Sequence, residues 1–157
     1  MGLVTDAPHH ELCYRIIGAA MDVHNRLGPG LREVHYQRAL VTSLQELGIE
    51  ASDEHPVEIA FDDRPVGRLY IDCLVQGEVI VELKAFPHFL TEEEIAQVIT
   101  YLAAAGKPVG LLLNFGRRRL QFKRIFRPRK LDAWQDRIER YLWRPPETRN
   151  WREEDIG

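Results

Sequence analysis

Hydrophobic positions recur along the chain with two different periods, and the switches between them mark its elements. From Glu11 onward, Leu12, Ile16, Ala19, Ala20, Val23 and Leu27 fall at three- and four-residue steps, the spacing of one helix face. The breaker Gly28-Pro29-Gly30 predicts an end at Leu27. A second helix is expected from Leu31 or Arg32, with Tyr36, Leu40, Leu44 and Leu47 as its buried stripe and Gly48 as its C-terminal cap. Residues 49–56 read as an exposed link closed by Pro56. The period then falls to two. Strands are expected at about 57–61, 67–75 and 78–84, joined by Asp62-Asp63-Arg64-Pro65 and by Gln76-Gly77 into an antiparallel meander. Pro87 ends it. Thr91 followed by Glu94 matches a capping box, and a helix over 92–105 carries Ile95, Val98, Ile99 and Leu102. Gly106-Lys107-Pro108 stops that helix. The continuous apolar run Val109–Phe115 reads as a buried strand, paired with a short strand over 119–125. A last amphipathic helix is expected over 131–143, carrying Trp134, Ile138, Tyr141 and Leu142, before a tail with Pro145-Pro146 and Trp151. This order predicts an α/β fold, a central mixed β-sheet flanked by helices.

Three charges interrupt the strands. Alternation puts Asp72 on a face with Tyr70 and Leu74, and Glu82 and Lys84 with Ile80, while Val79, Val81 and Leu83 point the other way. Burying such groups is costly unless they pair or bind a metal. Two carboxylates on adjacent strands suit a hard cation such as Mg²⁺, and the Leu83 carbonyl between them offers a third oxygen. Lys84 stands where it holds a water or offsets charge on a phosphate. Spacing alone is weak: Glu-x-Lys is common on solvated strands. The following helix adds Gln97 and Tyr101, one turn apart, whose plainer reading is a half-buried amide and a core aromatic. Glu33, in the first turn of the second helix, is accounted for by the helix dipole. His24 reads as a surface or interface histidine.

Composition narrows the class. A chain of 157 residues with 45% hydrophobic and 29% charged residues is one ordinary globular domain. No apolar run approaches the ~20 residues that span a bilayer, and no secretory signal is evident, so a cytoplasmic protein without a membrane partner is expected. Cys13 and Cys73 have neither metal-site nor disulfide-scaffold spacing and read as reduced thiols. The net charge is −3, yet eight basic residues and no acid occupy 117–130. Arg117, Arg118, Arg119, Lys123 and Arg124 in that stretch are candidate phosphate contacts, or charges guarding an edge strand. Phe122 and Phe126 among them read as core.

Taken together, Asp72, Glu82-Leu83-Lys84 and Gln97-x-x-x-Tyr101 resemble the core of the PD-(D/E)xK nuclease superfamily. Gly30-Leu31-Arg32-Glu33-Val34-His35-Tyr36 is similar to the Gly-x-x-Glu-x-x-Tyr signature of its small bacterial GxxExxY branch. Val23–Gly30, Val79–Ala85 and Asn114-Phe115 also fit that branch. The likeness covers roughly residues 11–126 and implies a restriction-endonuclease-like sandwich over 11–130, a lead-in over 1–10 and an extension over 131–157. It implies Glu33, Asp72, Glu82 and the Leu83 carbonyl as ligands of Mg²⁺ or Mn²⁺, Lys84 as the catalytic lysine, and Gln97 and Tyr101 as substrate-side or supporting groups. It implies hydrolysis of phosphodiesters in nucleic acid, with DNA the expected partner and a homodimer expected by analogy. The alternatives are a non-catalytic nucleic-acid- or protein-binding module, a hydrolase of small phosphate esters, and a structural subunit docking through Trp143 and Trp151.

Overall fold

The structure, a computed structural model, describes residues 8–127. Helices α1 (His10–Leu27) and α2 (Glu33–Glu46) lead into strands β1 (Ala51–Phe61), β2 (Arg64–Val75) and β3 (Val79–Lys84). Helix α3 (Glu92–Ala105) then connects to β4 (Val109–Asn114) and β5 (Gln121–Phe126). The helix and tail expected after residue 130, the three tryptophans and most of the lead-in lie outside the described residues.

The strands form one sheet in the order β1-β2-β3-β4-β5. Every neighbouring pair is antiparallel except β3 and β4, which run parallel from Val79↔Val109 to Lys84↔Asn114 with α3 as the crossover. The meander turns tightly because Gln76 (φ 53°) and Gly77 (φ 67°) are both left-handed, and Glu78 N–H donates to the Val75 carbonyl at 3.0 Å. Two left-handed central residues match the twist of the flanking strands.

Both faces of the sheet are covered. Cys13, Ile16 and Ala20 of α1 and Tyr36, Leu40 and Leu44 of α2 pack with Val75, Val81, Leu83, Leu111 and Leu113. Val98, Ile99 and Leu102 of α3 pack with Leu74, Ile80 and Leu112 on the other face. Burial on both sides is why β4 reads as an unbroken apolar run. The crossover helix lies close: a Cβ on Gly110 would collide with the Val98 side chain. No helix among the described residues is long and apolar enough to cross a membrane.

Several expectations are corrected. Residues 51–56 are strand, not link: Ala51 pairs with Val75 and Pro56 with Tyr70. β1 is an edge strand, where polar side chains stay wet and a proline need not donate to the ladder. Helix α2 begins at Glu33 rather than at Leu31 or Arg32, and β5 begins at Gln121 rather than 119. His24, expected as a surface or interface histidine, is buried within the fold, and Phe122 is exposed, not core. The face alternation around Asp72 also fails. Ile71 joins Leu74 in the α3-side core while Cys73 lies in the other one. Across from this break on β1, Glu54 has φ 49°.

Candidate active site

The ladder between β2 and β3 is regular only from Val75↔Val79 to Cys73↔Val81. At Asp72 the strands part, and side chains take over from the backbone. The Asp72 amide donates to Glu82 Oε1 at 3.1 Å, and the Leu83 amide donates to Asp72 Oδ2 at 2.9 Å. Each carboxylate thus caps the opposite strand. This satisfies buried backbone donors and sets the two acids against each other. Their carboxyl groups share a hydrogen bond. Glu82 is only 4% exposed; burial and then the neighbouring Asp72 push its carboxyl up to about 8.

Helix α2 supplies a third acid from the side. Partial burial raises the Glu33 carboxyl, and Asp72 pushes the same way, while the nearby Lys84 and a hydrogen bond from the Ala85 amide pull it down. Glu33 therefore reaches Asp72 and the end of β3 from the first turn of its helix. Two features aim it there. The Tyr36 hydroxyl donates to the Gly28 carbonyl at 2.6 Å and accepts from the Leu31 amide at 3.1 Å, while its ring stacks on Phe115 at 4.6 Å. The tyrosine of the signature is thus a clamp on the loop that delivers Glu33. His35, exposed, accepts from the Arg32 amide at 3.2 Å and caps the helix start.

The second feature is Gln37, absent from the sequence reading. One turn after Glu33, it is buried, and its Nε2 donates to the Asp72 carbonyl at 2.7 Å. It ties α2 to the strand at the position of the break. The i, i+4 step from Glu33 was the available signal, but a lone glutamine in a helix predicts nothing without the strand opposite it.

From the α3 side, Lys84 Nζ donates to Gln97 Oε1 at 3.2 Å, and Gln97 Nε2 donates to the Tyr101 hydroxyl at 3.0 Å. The direction of this chain follows from lysine being a donor only. It leaves the phenol's own proton to donate onward. Burial, then the charge of Glu82, raise the Tyr101 phenol above its ordinary value. Glu33, Asp72, Glu82, Leu83, Lys84, Gln97 and Tyr101 are thus brought into one site.

The donor set suits a hard divalent cation. Two carboxyls in contact, with Glu82 kept protonated by burial and then by its neighbour, would exchange that proton for a metal held by oxygen ligands. Among the described residues no three of His, Cys, Asp and Glu close round an ion by themselves. Asp72 and Glu82, with Glu33 beside them, leave coordination positions to water and phosphate, as Mg²⁺ prefers.

Next to this site, Asn114 organises two loops. Its Oδ1 accepts from the Phe86 and Gly116 amides at 2.9 and 3.1 Å, and its Nδ2 donates to the His88 carbonyl at 2.9 Å. Gly116 has no room for a side chain: a Cβ would overlap the backbone of Ala85 and Phe86. Between these loops and Pro29 lies a groove of about 900 Å³, walled by Pro87, Phe89, Arg117, Arg118 and Arg119 among others. The basic stretch is therefore divided. Arg117, Arg118 and Arg119 line the groove. Lys123 and Arg124 stand on β5 outside its walls, and Arg124 contacts His10 at 3.1 Å and lies 5.2 Å from the centre of the Phe126 ring.

The comparisons with known proteins agree with this geometry. No curated protein matches the chain significantly. The crystal structure of SSO0001 shares the fold, with a TM-score of 0.50 at 16% identity over 66% of this chain and 54% of that one. The chain thus spans about half the length of that protein, and at this identity the likeness concerns the fold alone, an α/β sandwich of restriction-endonuclease type. The family model of the PD-(D/E)XK nuclease superfamily matches residues 10–125, which contain both strands, both helices and every acid of the site. The chain belongs to the PD-(D/E)XK nuclease superfamily.

Proposed function

We propose that this protein is a metal-dependent nuclease of the GxxExxY branch that hydrolyses phosphodiester bonds in nucleic acid, with DNA the favoured substrate. The observation that carries the reading is the reciprocal capping of Asp72 and Glu82 where β2 and β3 part. It spends a regular ladder to hold two acids in contact. A structural role alone gives no reason to bury Glu82 against a like charge.

In this reading Asp72, Glu82 and the Leu83 carbonyl hold Mg²⁺ or Mn²⁺, with Glu33 as the helix-borne acid. The bound ion supplies Lewis-acid polarisation of the phosphate and a more acidic water. The chain's own groups do the rest. Lys84, fixed by Gln97, orients the attacking water and offsets negative charge on the phosphate. Tyr101, its oxygen already engaged by Gln97, donates its proton to a substrate oxygen. Gln37 keeps the Asp72 backbone from drifting as substrate enters.

The test is calorimetry of Mg²⁺ and Mn²⁺ on wild type and Asp72→Asn, with cleavage of mixed DNA and RNA substrates alongside. Metal binding that disappears in Asp72→Asn, and cleavage that falls by about a hundredfold or more in Lys84→Ala, are expected. Absence of metal binding even with nucleic acid present would overturn the catalytic reading. It would favour a second one, a nucleic-acid-binding module, for which the arginine-lined groove beside the site is the supporting observation.

A further inference from the structure

We propose that the groove beside the site binds an unpaired strand of nucleic acid, with one base stacked on the Phe89–Arg117 pair and the backbone phosphates held by Arg118 and Arg119. This deepens the nuclease reading and rests on it for the class of ligand.

Phe89 is 61% exposed, yet it is not on a slack loop. Asn114 binds the carbonyl of the preceding His88, Gln121 Oε1 accepts from the Leu90 amide at 2.9 Å, and Phe86 stacks on His88 at 4.7 Å. The loop is thus fastened on both sides of an aromatic ring left in water. Arg117 is fastened as well. Its carbonyl is bound by buried His24 at 2.7 Å, its Nη1 donates to the Pro87 carbonyl at 3.3 Å, and its guanidinium lies 3.6 Å from the centre of the Phe89 ring. The result is a rigid cation–aromatic platform, with two exposed arginines beside it and no acidic residue in the wall.

The ligand chemistry follows. Phosphates account for Arg118 and Arg119 but not for a preorganised aromatic ring. A base offers its face to such a ring only when it is unstacked, which excludes a base within an intact duplex. The groove is also joined to the chemistry. The Phe115 amide donates to the Lys84 carbonyl at 2.8 Å, so the loop bearing the arginines starts at the end of the catalytic strand. Pro29, which also lines the groove, belongs to the loop that delivers Glu33.

The experiment measures binding without turnover. The full chain is titrated in EDTA against fluorescein-labelled single-stranded oligo-dT, oligo-rU and a blunt duplex, each of about twelve nucleotides per strand, and anisotropy is read at several salt concentrations. Wild type should bind the single strands more tightly than the duplex, and the dT and rU arms separate DNA from RNA. Phe89→Ala and Phe89→Leu should each weaken single-strand binding by about tenfold and leave duplex binding nearly unchanged, whereas Phe89→Trp should retain it. Arg118→Ala and Arg119→Ala should weaken both and lower the salt slope by about one each. Thermal melts check that the exposed substitutions leave the fold intact. Phe89→Leu binding single strands as wild type does, a wild-type preference for duplex, or no binding to any probe would overturn the proposal. Loss of binding in Phe89→Leu from a protein that cleaves nothing with Mg²⁺ would sink the nuclease reading and leave the groove standing.

Discussion

Replacing Glu82 by glutamine should change how the stability of the metal-free protein depends on pH. The folded carboxyl sits at about 8 against an ordinary value of 4.5, chiefly because it is buried and next to Asp72. Between those values the folded protein holds a proton that the unfolded chain has released. Raising the pH through that window therefore favours unfolding. The stabilising contribution is complete below about 4.5 and gone above about 8. At about 1.4 kcal/mol per unit, the swing is on the order of 3–5 kcal/mol. In a chain of this size about 1 kcal/mol moves the melting temperature by roughly 2–4 °C. The wild-type melting temperature in EDTA should thus fall on the order of 10 °C more than that of Glu82→Gln between about pH 5 and pH 9. The glutamine keeps an oxygen for the Asp72 amide, so the bond at 3.1 Å survives and only the titration is removed. Adding Mg²⁺ at the alkaline end should restore the wild type and not the variant. The assay is differential scanning calorimetry of both proteins across the range. Parallel pH profiles for the two would refute the claim that Glu82 is held in contact with Asp72 in a dry site.

Two other changes test the supports of the site. Tyr36→Phe keeps the stack on Phe115 but removes both hydroxyl bonds to the loop at Gly28 and Leu31. It should cost about 1–3 kcal/mol in urea unfolding, with a larger fractional loss of cleavage because Glu33 is no longer aimed; unchanged stability would show the clamp to be incidental. Gln37→Leu leaves the Asp72 carbonyl without its partner and should cost about 1–3 kcal/mol together with at least tenfold in metal affinity. Wild-type metal affinity in that variant would detach α2 from the site.

The architecture was largely legible because it rests on burial, and burial leaves periodic traces. Helix α3 announced itself by Thr91 and Glu94 at its start and Gly106 at its end, β4 by an apolar run between breakers, and β3 by its valines and isoleucine between Gln76-Gly77 and Pro87. The N-terminal half of β1 left no such trace. An edge strand open to water tolerates Ser52, Asp53, Glu54 and Pro56, and its ladder is satisfied from one side only. Likewise Asp72, Glu82 and Lys84 could be listed from the sequence, since charges in apolar strands demand an explanation wherever the chain folds, whereas Gln97 and Tyr101 stood out only by their one-turn spacing and the resemblance.

What the sequence by itself determined, then, is the order and type of most elements and the identity of the charged groups that need partners. Only the tertiary structure decided who those partners are. A strict period of two put Asp72 in a regular strand, whereas the fold breaks the ladder there so that each acid caps the other strand. His24 looked superficial because its burial comes from the Arg117 carbonyl and Phe115, more than ninety residues away. Gln37 carried no signal until β2 was placed beside it, and the basic stretch read as one patch until β5 turned Arg124 toward α1 and left Arg117–Arg119 around Phe89. Local patterns record what each segment buries. Hydrogen bonds and charge contacts between distant segments depend on register and strand splay, which no single segment encodes.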